Sequence, residues 1–500
     1  MKDKTLKKNM LFFPLGTVGR DMMYNLFNNF LLTYILFTRQ LTTAQLAAVT
    51  AIMVAARIFD ALNDPLMGNI IERTRTKHGK FKPWLVIGML STCAVIYMTF
   101  NSDLQGWKFI WFFGLVYFLY SITYTMHDIA YWGMIPSLGT DANVRNQFTS
   151  GATLCAGIGG ALAGFLIPRF TTGAGTLGGN ASYAFGRVAL VVCFIAPLFL
   201  AFTVFGVHED RSYMDKPAPP VSFKKIIKTI SGNDQLLWMA LIFLIQQLGN
   251  SLVTAGLGST YIYFELGYDG GYYSNFSTFG LAACAVLMIF YPAISRKIEH
   301  KRFMGIMAAV ASVGCAVMLV IGLCVPSSNA SLKCLLLTVG YMMMNFGLYS
   351  YYLIMMISIL NTVEYNEYLY GERDEAIIAS LRPFITKLAS ALLAALTAVC
   401  YMVFGVLQYT NQISDFERQV SMGQITEAVK LEGINGVIAN IQTWQKTGLL
   451  LCITVLPLIF MLISYFLYKK HYKLDEKEYD RICAEIEKRK IKHNTEKACL

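Results

Sequence analysis

The chain has 500 residues, of which 55% are hydrophobic and only 15% charged, with a mean hydropathy of +0.48. A soluble chain carries roughly 25% charged residues, so this composition excludes an ordinary soluble enzyme. The formal charge of +11 would suit nucleic acid in a soluble protein, and here has to be read from where the basic residues fall.

In chain order, apolar runs between polar breaks predict twelve membrane spans, at 11–38, 45–71, 84–101, 107–135, 147–170, 186–207, 236–264, 272–295, 303–325, 334–363, 376–405 and 447–469. Several reach the ~20 residues that cross a hydrocarbon core as a helix. The polar connection 208–235, with Lys216-Pro217-Ala218-Pro219-Pro220 and a basic stretch from Phe223 to Ile230, divides the spans six and six. The predicted fold class is therefore an all-α polytopic membrane protein. It comprises an N-terminal six-helix bundle (1–207), a cytoplasmic middle loop (208–235), a C-terminal six-helix bundle (236–469) and a tail (470–500), the duplicated layout of a major facilitator. With these spans, 29 of the 42 basic residues fall on the side of the N-terminus and five on the other. Both termini are accordingly expected in the cytoplasm, and nucleic acid is not an expected partner.

Residues 406–446 are long for an outside hairpin and predict a partly helical excursion from Asp415 to Ile441; the tail, with Glu476, Asp480, Glu485 and Lys488 at helical spacing, predicts a solvated helix. No Cys-x-x-Cys pair lies near histidines, so no metal centre or disulfide framework is expected; Cys324 and Cys334 bracket one short loop. There is no Ser/His/Asp arrangement or phosphate loop either.

Charges inside spans are costly and mark function by default. Span two is the densest case: Arg57, Asp60, Asn63 and Asp64 lie at i, i+3, i+6 and i+7, on one helical face. Two carboxylates and an amide oxygen suit a small hard cation, and Thr125 of span four can add a hydroxyl. Alternatively Asp60 only neutralises Arg57, or the two carboxylates share a proton. Asp21 in span one and Asp128 in span four form a second acidic pair. Asn25, Asn28 and Asn29 follow Asp21 on its helix, and Tyr124, His127, Tyr131 and Trp132 surround Asp128. Carboxylates accept from paired hydroxyls, amides donate and accept, and an indole packs on the C–H face of a sugar ring, so the set points to a polyol. The competing reading pairs Asp21 with Arg20 and makes Trp132 an interfacial anchor. Lys387 in span eleven needs an acid from the other half, with Asp60 or Asp64 in reach. Gln246, Gln247, Asn250, Tyr349 and Tyr352 are further candidates for the same cavity, and His127 is expected to be a satisfied helix residue rather than a proton relay.

These residues resemble a known family. Gly16-x-x-Gly19-Arg20-Asp21, Arg57-x-x-Asp60-x-x-Asn63-Asp64-Pro65, Thr74-Arg75-x-x-x-Gly79-Lys80-Phe81-Lys82-Pro83-Trp84, Tyr124-Thr125-x-x-Asp128 with Trp132, and Thr362-Val363-Glu364 with Lys387 are similar to the melibiose permease group. That group is the glycoside-pentoside-hexuronide:cation symporters. The resemblance implies a sodium, lithium or proton site at Asp60, Asn63, Asp64 and Thr125. It implies sugar contacts at Asp21, Asp128 and Trp132 and places Lys387 near both sites; Asn25, Asn28 and Tyr352 are further expected substrate contacts, and Arg57, Arg75, Gly79 and Lys80 are expected to be structural or gating residues. The chain departs from the pattern where a span-five arginine is expected and Thr153 stands, and where Tyr352 replaces a tryptophan.

The expected function is cation-coupled symport of a glycoside across the cell membrane, by a monomer with no bound cofactor and Na⁺ as coupling ion, H⁺ or Li⁺ being the alternatives. A carrier of lysolipids or other amphiphiles on the same fold and a non-transporting sugar sensor are the competing functions. The polar stripe of Asp21, Asn25, Asn28 and Asn29 favours a hydrophilic substrate, and no signalling domain is present.

Overall fold

The computed structural model describes residues 2–139, 142–209, 223–295, 298–372 and 374–498. Regular structure among them is helical throughout. The N-terminal half comprises α1 (Lys2–Thr38), α2 (Thr43–Arg73), α3 (Lys82–Phe100), α4 (Gly106–Gly133), α5 (Ala142–Thr171) and α6 (Ala181–Gly206). After a short helix α7 (Phe223–Gly232), span seven is built of α8 (Asp234–Ser251), a π turn (Val253–Leu257) and α9 (Gly258–Leu266). Then follow α10 (Gly270–Ser295), α11 (His300–Cys324), α12 (Ala330–Tyr370), α13 (Glu375–Val403), the hairpin α14 (Val406–Ser421) and α15 (Glu427–Ala439), α16 (Thr443–His471) and a terminal α17 (Glu476–Ala498).

Ten of the described helical segments are long and apolar enough to cross a membrane. α1 and α10 fall outside that set, and their 37 and 26 residues reach across at 1.5 Å per residue. The fold is thus consistent with the twelve expected spans. The basic start of the chain is helical as a continuation of span one, and span ten runs several residues past its expected end at 363. The Pro-rich stretch 216–220 and Arg373 lie outside the described residues. The expected outside excursion is helical, but starts at Val406 and breaks between Ser421 and Glu427. Cys324 and Cys334 are both free. Among the described residues no cluster of three His, Cys, Asp or Glu side chains could hold a metal ion.

Apolar side chains on the outer faces remain open to lipid: Trp111 is 80% exposed and Phe194 72%. Inside, helices approach through glycine. A Cβ on Gly19 would lie 2.4 Å from the Ala196 backbone, and one on Gly159 2.1 Å from the Val18 carbonyl, so α1 nests against α6 and α5. The halves meet where α2 packs on α13 and α5 on α10.

At the end opposite the basic loops the halves are fastened by many polar contacts. Arg169 donates to Asn275 at 2.7 Å and to Ser274 at 3.2 Å, and Gln40 to Asp415 at 2.9 Å. The α14–α15 hairpin carries a buried ion pair, Lys430–Glu417 at 3.3 Å. Glu417 accepts from the Ala181 N–H at 2.8 Å, at the start of α6, and Lys430 donates to the Gly179 carbonyl at 2.7 Å. Burial pushes the Glu417 carboxyl above its usual range, against the pull of the Lys430 ammonium. At the basic end, Lys225 of the middle-loop helix α7 bridges Glu372 and Asp374, both at 2.9 Å, tying the loop to the C-terminal half.

Candidate transport site

Arg20 organises the first group of candidates. Its guanidinium donates to Asp21 Oδ2 at 2.7 and 2.9 Å and to Asp128 Oδ1 at 3.0 Å, lying 5.4 Å from the Tyr131 ring centre and 5.0 Å from that of Trp132. The pairing of Asp21 with Arg20 is thus present, and the same guanidinium also holds Asp128, the other member of the acidic pair. The Asp128 side chain stays 37% exposed, leaving an acidic edge beside an indole. His127 is fully buried; its Nδ1 lies 3.1 Å from the Leu85 carbonyl, while its Nε2 is buried without a partner.

Further along α1, Asn25 donates to the Asp21 carbonyl at 2.8 Å and Asn29 to Asn25 Oδ1 at 2.6 Å. Asn28 donates to the Tyr120 hydroxyl at 3.1 Å and accepts from Arg57. Arg57 also reaches Asp60 at 3.4 Å. One guanidinium therefore connects the amide stripe of α1 to the acidic face of α2.

On α2, Asp60 is 4% exposed and accepts from Ser121 as well as Arg57. Asp64, one turn on, accepts from Thr125 Oγ1 at 3.3 Å and from Lys387 of α13. Thr125 and Lys387 thus gather at Asp64. Asn63 does not join either carboxylate through its amide nitrogen, which is buried without a partner. Ser121 was missed; it precedes Thr125 by four residues on α4, and that spacing was the available signal.

The other candidates sit elsewhere. Tyr352 accepts from Arg382 at 2.7 Å and stacks on Tyr349 at 5.3 Å. Thr153 turns its hydroxyl back to the Thr149 carbonyl at 2.8 Å. Arg75 bonds the carbonyls of Glu72 and Thr74 at the end of α2, and Lys80 pairs with Glu72 at 2.6 Å. Gly79 adopts φ +95°, and a Cβ there would strike the Glu209 carboxylate. These three stabilise the α2–α3 turn against the end of α6.

Between the halves lies a cavity of about 240 Å³. Tyr24, Asn28, Arg57 and Tyr117 line it from one side and Gln247 and Ser251 from the other. Its lining mixes amides, hydroxyls, phenol rings and the Arg57 guanidinium with apolar side chains, among them Leu32, Met53 and Leu393, so it offers a hydroxyl-rich solute both hydrogen-bonding groups and apolar surface.

Long apolar helices in two halves around a central cavity, with charged groups paired across the halves, define a multi-pass membrane transporter of the major facilitator type. Residues 12–476 match the family described as MFS/sugar transport protein, and the chain belongs to it, within the glycoside-pentoside-hexuronide:cation symporters. It is similar to the raffinose carrier protein of Pediococcus pentosaceus, 27% identical over 96% of this chain and 71% of that one. It is also similar to the lactose permease of Leuconostoc lactis, 24% identical over 98% and 74%, and to the isoprimeverose transporter of Lactiplantibacillus pentosus, 23% identical over 83% and 85%. Among solved structures, a bacterial homolog of the human lysosomal transporter Spinster, inward-facing and occupied, shares the fold with a TM-score of 0.60 at 12% identity, over 93% of this chain and 96% of that one. A D-xylose-proton symporter does so with a TM-score of 0.55 at 11% identity, over 89% and 99%.

Proposed function

We propose that the protein is not an enzyme but takes up a neutral glycoside by cation-coupled symport, working as a monomer in the cell membrane with both termini in the cytoplasm. The observation that carries this reading is the convergence of Thr125 and Lys387 on Asp64, one helix away from the Asp21–Arg20–Asp128 group. The cation enters as cargo at Asp64 and Asp60, with Thr125, Ser121 and the side-chain oxygen of Asn63 as neutral ligands. A carboxylate cannot serve an ammonium and a metal ion fully at once, so cation binding displaces Lys387 from Asp64. The freed lysine then turns to the substrate side of the cavity, which couples the two ligands. Sodium is the favoured ion, since hydroxyl and amide oxygens matter to a metal ion's coordination and not to a proton. Lithium and the proton are the alternatives.

On the sugar side, Asp21 and Asp128 accept from paired hydroxyls while Trp132 packs on the ring. Asn25, Asn28 and Tyr352 border the path, and raffinose or lactose, the sugars named for two relatives, are suitable first substrates to try. The test is binding of labelled neutral glycosides to the purified protein, with and without sodium. Sugar affinity that rises with sodium supports the reading, and affinity indifferent to sodium, lithium and pH removes it.

A further inference from the structure

The cavity between the halves lies at the level of Asn28 and Arg57, and none of Asp21, Asp128 and Trp132 lines it. Seven residues separate Asp21 from Asn28, so the amide lies about 10 Å further along α1 and within roughly 20° of the same face. That distance is more than one pyranose ring is wide. At the Asn28 level no acid lines the cavity; its charged group is Arg57, already held by Asn28 and Asp60.

Span seven supplies the opposing wall. Gln247, Ser251 and Thr254, spaced i, i+4 and i+7, line the same cavity. Gln247 is 8% exposed, yet its Oε1 has no hydrogen-bond partner. A buried acceptor left unpaired is costly, and the residue that carries it is one of those lining the cavity. Just beyond it the helix widens into the π turn, where Gly256 adopts φ +105°, a conformation that side chains disfavour. A Cβ there would also meet the Tyr401 hydroxyl at 2.9 Å. The turn keeps Thr254 and Ala255 in the cavity wall. Such bulges gather at functional sites. Tyr24 and Tyr117 face the same space and offer flat surfaces to C–H groups.

We propose that this neutral compartment is a second-ring subsite, in which Gln247 and Ser251 read the hydroxyls of the sugar ring remote from Asp21 and Asp128. The inference rests on the glycoside reading and deepens it: the substrate class is an oligosaccharide of two or more rings, selected over monosaccharide glycosides by span seven. A primary amide suits the task because it donates and accepts at once, matching a hydroxyl in either role. The acids and Trp132 hold the first ring in every case, so span seven affects only ligands long enough to reach it.

The experiment is equilibrium binding by the purified full-length protein of methyl galactoside, methyl xyloside, lactose and raffinose, for the unsubstituted chain, Gln247→Leu and Ser251→Ala. In Gln247→Leu the advantage of the oligosaccharides over the methyl glycosides falls about tenfold, while methyl glycoside affinity stays within about twofold and so reports intact folding. Ser251→Ala moves the same ratio in the same direction and serves where Gln247→Leu fails to fold. Equal weakening of all four ligands, or no change in the ratio in either variant, overturns the subsite. Failure of the unsubstituted protein to bind any of the four removes the glycoside reading itself, and the subsite with it.

Discussion

Lys387 of α13 donates to Asp64 of α2, so the carboxylate that Thr125 also reaches is a joint between the two halves. α2 and α13 pack along each other, and the bridge sits within that contact. Any event that takes Asp64 away from Lys387 therefore loosens the halves at this level while leaving the opposite end fastened through Arg169, Gln40 and the α14–α15 hairpin.

Removing the lysine separates competition from support. In Lys387→Met the carboxylate of Asp64 has no ammonium partner, so a cation no longer has to displace one, and sodium affinity rises by about tenfold or more. Coupled uptake falls, because the displaced lysine is what carries the information to the sugar. Sodium titration of thermal stability reads the first effect and uptake the second. Unchanged sodium affinity would show that Lys387 does not occupy the cation's place.

Asp60 and Asp64 carry different loads. Asp60 is buried against Arg57 and Ser121, so Asp60→Asn leaves a guanidinium without its charge partner and lowers stability by about 3–5 kcal/mol. Ser121→Ala costs only about 1 kcal/mol. Asp64→Asn, at a more open position with side-chain exposure of 28%, keeps the fold and sugar binding and loses cation-driven accumulation. Denaturation midpoints alongside uptake distinguish the two, and equal loss of stability in both variants would contradict the assignment.

Neutral sugars should outcompete acidic ones. The Asp21–Arg20–Asp128 group holds two carboxylates against one guanidinium, so a uronate arriving there meets uncompensated negative charge. Asp128→Asn weakens binding of neutral glycosides by more than about tenfold, from the loss of a charged hydrogen bond. Competition by galactosides and a glucuronide checks both statements, and selective glucuronide binding would show the charge argument to be wrong.

The hairpin is expected to act as a latch at the end opposite the basic loops. Gln40 Nε2 lies 2.9 Å from Asp415 Oδ1 across the halves, so a short crosslink between cysteines at these two positions, in a background free of other cysteines, holds the outer end closed. Uptake stops on crosslinking and returns on cleavage. Full uptake by the crosslinked protein would mean that this end does not open during transport.

The helices and the acidic face of span two were legible because period 3.6 and the length of apolar runs are local properties. So was the need of Lys387 for an acid, since an unpaired intramembrane charge is too costly to stand alone. What a single chain could not give was which acid it meets, because Asp60 and Asp64 lie one turn apart on the same face. Arg20 spanning Asp21 and Asp128 was half visible: its sequence neighbour was anticipated, while its partner on α4 depends on the packing of α1 against that helix. The Lys430–Glu417 pair was hidden because the helical reading of Asp415 to Ile441 does not tell which polar residues the hairpin turns inward. The break in span seven left only Gly256 as a trace among many glycines.

The most direct test of the central claim is uptake of labelled lactose and raffinose by proteoliposomes under an imposed inward sodium gradient, with lithium and proton gradients as parallel arms, for the unsubstituted chain and Asp64→Asn. The account predicts accumulation above equilibrium in the unsubstituted chain, driven most strongly by sodium, and only downhill equilibration in Asp64→Asn. Accumulation that survives in Asp64→Asn, or that no cation gradient drives in the unsubstituted chain, would contradict it.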